Sequence, residues 1–97
     1  MEFDWSKTKA GDNLRKHGIS FSEASEVFSD PLHISVLDFR FDQLEERWIS
    51  IGMTAIGKLI VVGHLYSITR EQGKETIRII TAREATRKER EQYENIG

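Results

Sequence analysis

Apolar and polar positions along this chain fall into short blocks whose period changes from two residues to between three and four, and back again. Phe3 and Trp5 alternate with Glu2 and Asp4, which predicts a very short edge strand or an aromatic plug beneath the first helix. Ser6 is placed to cap a helix through Lys16, with Ala10, Leu14 and His17 facing inward and the lysines and Arg15 outward. Gly18, after Lys16 and His17, is the expected left-handed stop. Ser20 and Glu23 form a capping box for a second short helix carrying Phe21, Ala24, Val27 and Phe28, which ends before Asp30 and Pro31.

The remaining pattern is mostly strand. Leu32, Ile34 and Val36, with Leu37 and Phe39, make one strand candidate, and the acidic link over residues 42–46 is left unassigned. Over residues 47–53, Arg47, Ile49, Ile51 and Met53 share one face while Trp48 and Ser50 share the other. Residues 55–57 make a turn into residues 58–66, the most apolar run of the chain and the expected central strand. A hairpin over residues 70–74 leads to the β-branched stretch 76–81. There Thr81 and Glu84 read as a capping box that ends the strand and begins a helix near Ala82. On that helix Ala82, Ala85 and Tyr93 form one stripe, and Arg83, Arg87 and Arg90 another. The predicted class is α+β: a helical hairpin on one face of an antiparallel sheet of three to four strands, a C-terminal helix, and a second sheet face left free.

Ninety-seven residues, 38% of them hydrophobic, make one small domain spanning 1–97. The absence of cysteine excludes disulfides, a thiolate nucleophile and a Cys-type zinc site. No apolar run approaches the ~20 residues that span a bilayer. The start, M-E-F-D-W, lacks the basic and apolar regions of a secretion signal, so a cytoplasmic location is expected. A net charge of −2 argues weakly against nucleic-acid binding, but the average hides a segregation. Residues 21–46 hold seven acids against the single base Arg40, a local balance of −6, which leaves the remainder at +4. Residues 47–69 contain Arg47 and Lys58 and no acid.

The arginine row 83, 87, 90 suits a polyanion, because guanidinium offers fixed donors to phosphate oxygens; interleaved Glu84, Lys88, Glu91 and Glu94 equally describe a solvated face of mixed charge. If His64, Tyr66, Arg47 and Arg78 converge on the free face, they supply an imidazole, a phenol and two permanent cations. That set suits cleavage of an RNA phosphodiester by its own 2′-hydroxyl. The opposing reading makes His64 a hydrogen-bonded core residue and pairs the arginines with Glu45, Glu46 or Glu75. Three dispersed histidines and the lack of HExxH or EF-hand patterns argue against a metal, and no phosphate-loop or dinucleotide motif occurs. No cofactor is expected.

Across nearly the whole chain, seven segments occur in one order: F-D-W near the start, N-L-R-K-H-G at 13–18, S-F-S-E-A at 20–24, V-F-S-D-P at 27–31, E-E-R-W-I-S-I-G at 45–52, L-I-V-V-G-H at 59–64 and I-R-I-I-T-A-R-E-A-T-R-K-E-R-E-Q-Y-E at 77–94. Together they resemble the BrnT toxins, which belong with the RelE/ParE-like toxins of type II toxin–antitoxin systems. The resemblance implies a RelE-like fold and a metal-independent endoribonuclease that blocks translation. It also implies a BrnA-type antitoxin partner, and assembly as a homodimer or as a heterotetramer with that antitoxin. By the same resemblance Arg47, His64, Arg78 and Arg83 are the expected catalytic positions. The residues themselves add Tyr66 as an alternative proton carrier and Lys16 along the RNA, with Arg87 and Arg90 extending the RNA path or meeting an acidic antitoxin tail. The competing functions are a non-catalytic module that binds an antitoxin or another protein, and a ParE-like gyrase inhibitor.

Overall fold

The computed structural model describes residues 1–41, 46–69 and 72–96. The chain order is β1 (Glu2–Asp4), α1 (Lys7–His17), α2 (Phe21–Ser25) running into a 3-10 turn (Glu26–Ser29), β2 (Ile34–Asp38), a second 3-10 turn (Phe39–Phe41), β3 (Arg47–Met53), β4 (Leu59–Thr69), β5 (Lys74–Glu84) and α3 (Arg87–Ile96). The class is α+β as expected. The sheet, however, is mixed and has five strands in the order β1-β5-β4-β3-β2, because β1 joins β5 in parallel from Glu2–Thr76 to Asp4–Arg78. Residues 42–45, 70 and 71 of the expected acidic link and hairpin lie outside the described residues.

The helices at the N-terminal end form for the reasons read from the sequence. Ser6 Oγ accepts from the Lys9 amide, Ser20 Oγ from the Glu23 amide, and Gly18 takes φ 69° with its amide on the Leu14 carbonyl. Which face of α1 turns inward differs from expectation. Leu14 is 51% exposed and Asn13 is buried instead. The Asn13 carboxamide donates to the carbonyls of Ile19 (3.0 Å) and Ala82 (2.8 Å) and accepts from the Ala82 amide (3.0 Å). β1 covers the edge of β5 only as far as Arg78; at Ala82 a side-chain amide takes the place of the missing strand.

Each sheet face carries its own core. Ile19, Phe21, Ala24 and Val27 pack on Ile60, Val62, Ile77, Ile79 and Ala82 on one side, while Tyr93 of α3 packs on Ile51, Leu59 and Val61 on the other. The second face is therefore not free, as expected, but covered by α3 at one end. Tyr93 is fixed there by donating its hydroxyl to Asp30 Oδ2 (2.6 Å), which also accepts from the Met53 amide (2.8 Å). Burial alone would raise the Asp30 pKa; the Tyr93 hydroxyl and the Met53 and Leu32 amides overcome it and hold the carboxyl ionised, while the Tyr93 phenol is pushed up to about 12.

The C-terminal helix begins later than expected. The box at Thr81 and Glu84 does not form, since β5 continues to Glu84 by pairing Thr81, Ala82 and Arg83 with Gly63, Val62 and Val61. The same pattern five residues on is the real start: Thr86 Oγ1 accepts from the Glu89 amide (3.2 Å) and Glu89 Oε1 from the Thr86 amide (2.8 Å). Ala82 and Arg83 thus belong to the strand, and only Arg87 and Arg90 of the arginine row lie on a helix. Among the described residues, no helix is long and apolar enough to cross a membrane.

Asn13→Leu removes three hydrogen bonds while leaving the two Ala82 peptide groups buried. Urea denaturation is expected to show a loss of about 2–4 kcal/mol, larger than that for an exposed helix position such as Lys9→Leu, which is expected within about 0.5 kcal/mol.

Candidate nucleic-acid interface

A concavity runs between the last turns of α1 and the sheet. It consists of two adjoining hollows, of about 260 and 150 Å³, which share Arg47, Ile80 and Thr81. α1 contributes Lys9, Asp12, Asn13, Lys16 and His17; β3 contributes Arg47, β5 contributes Arg83, and Asp38 and Arg40 close the far end. The floor is low because β4 carries glycine there. A Cβ on Gly63 would stand 2.6 Å from Thr81 Oγ1, and a bulge between Gly63 and His64 shifts the pairing with β5 at the same place.

The lining is cationic after its carboxylates are accounted for. Asp12 pairs with Arg15. Asp38, buried beside the cleft, accepts from Arg40 Nε (2.9 Å) and Nη2 (2.7 Å), and these bonds hold its pKa down against burial, aided by Arg47. Arg83 makes a two-pronged bond to Glu89, Nη1 to Oε1 at 2.7 Å and Nη2 to Oε2 at 2.9 Å, which pushes the Glu89 carboxyl down to about 2 and raises the Arg83 pKa. Glu89 therefore orients Arg83 from α3. Lys9 and Lys16 form no ion pair among the described residues. No group of three or more His, Asp or Glu among the described residues is arranged to hold a metal ion.

The expected catalytic set does not assemble as one group. Arg47, Arg83 and Lys16 line the concavity. Arg78 alternates with the buried Ile77 and Ile79, so it faces the same side of the sheet as Arg83, but it is paired with Asp4 beside β1 and lines neither hollow. Arg87, in the first turn of α3, lies 3.7 Å from Glu91, and Arg90 is exposed; both are outside the concavity. His64 and Tyr66 are on the opposite sheet face, because Ile60, Val62 and His64 alternate inward with the helix-covered core.

His64 is 4% exposed. Its ring stands edge-on to Phe28 at 4.9 Å, and Nε2 shares a 2.8 Å hydrogen bond with Ser50 Oγ, itself 2.6 Å from Ser35 Oγ. Nδ1 has no partner in hydrogen-bonding geometry; the Leu65 backbone only partly offsets the effect of burial, which pushes the pKa down to about 4. The core reading of this histidine is the one the fold builds. In exchange, His17 is an imidazole that does border the concavity, next to Lys16 and Arg47. Its position after Lys16 had a sufficient local explanation in helix termination, so nothing in the chain order marked it as part of a site.

The profile of a protein family described as "Ribonuclease toxin, BrnT, of type II toxin-antitoxin system" matches residues 5–89. The chain belongs to the BrnT family. The crystal structure of the Brucella abortus ribonuclease toxin BrnT, at 1.1 Å resolution, matches with a TM-score of 0.63 at 21% identity, over 90% of this chain and 99% of that one, a likeness of fold. No curated relative matches. Family membership makes this BrnT chain a ribonuclease toxin with RNA as its target and an antitoxin as its partner.

The His64 ring sets a pH window. Its folded pKa of about 4 lies below the ordinary 6.5, so its contribution to stability is complete above pH 6.5 and is lost as pH falls from there to about 4, by on the order of 3 kcal/mol. Urea midpoints measured across that range should fall steeply for the native chain and follow a flatter course for His64→Gln.

Proposed function

We propose that the concavity between α1 and the sheet is where this ribonuclease toxin holds and cleaves RNA, and that residues 1–97 act as one RelE-like domain. The observation that carries the proposal is the meeting of Lys16, Arg47 and Arg83, from three separate elements, around an imidazole and a glycine floor. A sugar-phosphate backbone laid across Gly63 and Thr81 is met by donors from both walls. Arg83 is held for this by Glu89, so little side-chain freedom is lost when phosphate binds.

The reaction is internal cleavage by the 2′-hydroxyl next to the scissile phosphate. His17 takes the hydroxyl proton, the oxygen attacks phosphorus, and Arg47 and Arg83 stabilise the charge that builds on the phosphorane oxygens. The bond to the 5′-oxygen breaks, leaving a 2′,3′-cyclic phosphate on one fragment, and the departing 5′-oxygen takes a proton from water to become a hydroxyl. The residues supply acid–base and electrostatic help and need no metal for these steps. His64 and Tyr66, on the opposite face, take no part in them, and Arg78 stays with Asp4. Arg87 and Arg90, on the exposed side of α3, lie along the path by which RNA leaves the cleft. Inhibition of translation follows from cutting messages in the cytoplasm. The neutralising partner is a BrnA-type antitoxin, and the resting assembly is a heterotetramer with it.

Cleavage of a defined RNA in the presence of a chelator tests this directly. Arg47→Ala and Arg83→Ala are each expected to lower kcat/KM by about 10²–10³. His17→Ala should lower it by a comparable factor, about 10²–10⁴. Lys58→Ala, remote from the cleft and paired with Glu23, should stay within a few fold of the native rate. Native rates in both Arg83→Ala and His17→Ala would remove the assignment.

A further inference from the structure

On the opposite face lies a separate cavity of about 250 Å³, whose lining includes Phe28, Ser35, Trp48, His64, Tyr66 and Ile77. Its walls are aromatic and aliphatic, and its polar groups are few. It is smaller than the ~300 Å³ at which pockets for whole drug-sized ligands begin, so it suits a single ring system. Two features define the chemistry of that ring.

The first is His64. Ser35 Oγ, Ser50 Oγ and His64 Nε2 form a chain of hydrogen bonds of 2.6 and 2.8 Å that fixes the imidazole and leaves Nδ1 without a hydrogen-bond partner. An aliphatic occupant would leave that buried nitrogen unpaired, at a cost; a heteroaromatic ring brings donors and acceptors on its own edge. The second is Trp48. It lines this cavity and the cationic concavity alike, close to Arg47 at the start of β3. A strand whose phosphates lie beside Arg47 is positioned to turn one base around Trp48.

We infer that this cavity takes a nucleobase of the bound RNA, stacked among Phe28, Trp48 and Tyr66 with its edge on His64, and thereby sets the base preference of cleavage. Exposed bases are read in this way, by aromatic stacking together with hydrogen bonds to one edge, and purines stack more strongly than pyrimidines. The inference rests on the cleft holding the RNA backbone, and the test separates the two.

The four uncharged nucleosides, which carry no phosphate for the cleft to bind, are titrated against the full chain with Trp5→Phe, so that fluorescence reports Trp48. Saturable quenching is expected, with adenosine or guanosine ahead of cytidine and uridine. Tyr66→Ala removes one wall at an exposed position and should weaken the best binder about tenfold or more. It should also level the cleavage rates of RNAs that differ at a single base, whereas Arg83→Ala lowers all of those rates alike. Absence of saturable quenching by any nucleoside, or equal binding by Tyr66→Ala with its circular dichroism unchanged, overturns the base pocket, even where Arg83→Ala abolishes cleavage. Nucleoside binding lost in Tyr66→Ala, beside native cleavage by Arg83→Ala, upholds the pocket and defeats the cleft.

Discussion

The carboxamide of Asn13 is the contact on which the site depends. β5 is longer than β1, and beyond Arg78 its outer edge exposes peptide groups that must be satisfied. Asn13 pairs with both groups of Ala82 and adds the Ile19 carbonyl, so one side chain closes the sheet edge and ties α1 to the turn that follows it. Its neighbours then have no choice of position. Lys9, Lys16 and His17, on the same helix, come to stand over Ile80, Thr81 and Arg47. The cleft is the space left when a helix, instead of another strand, finishes the edge.

Charge follows the same division. Where α3 lies over the second face, Tyr93 is buried on Ile51, Leu59 and Val61 and anchored by Asp30. Where α3 stops short, the face is open and polar, and Glu89 in its first turn reaches back to hold Arg83. The paired carboxylates around the cleft are thus structural: Asp38 and Glu89 stay ionised because guanidinium groups stabilise them, and in return they fix those groups in place. The chain's net charge of −2 conceals this local excess of cations.

Most of the elements were legible from local rules. Ser6, Ser20 and Gly18 act through neighbours within four residues, so their roles could be read directly. The alternation of residues 47–53 was legible for the same reason, whereas the stripe joining Ala82 to Tyr93 was not built, since Ala82 lies in β5 and packs in the other core. What was not legible depends on distant partners. Thr81–Glu84 and Thr86–Glu89 are equal as capping boxes, and only pairing with β4 and Asn13, residues away in sequence, decides between them. The parallel β1, the inward turn of Asn13 in place of Leu14, and the burial of His64 under Phe28 are likewise settled by packing across the sheet. Of the expected site residues, Arg47, Arg83 and Lys16 meet in one place. Which strand face a residue occupies is set by register: Arg83 pairs with Val61, and alternation along β4 from Val61 puts His64 on the other side.

Membership of the BrnT family supplies the activity, and the Asn13-built cleft is the place we propose for it. The most direct measurement is a map of backbone amide shifts by nuclear magnetic resonance on adding a 2′-O-methyl RNA that binds but cannot be cut. The account predicts perturbations centred on Lys16, His17, Gly63, Thr81 and Arg83. Perturbations confined to the outer face of α3 or to the region around Arg78, with those residues unmoved, would contradict it.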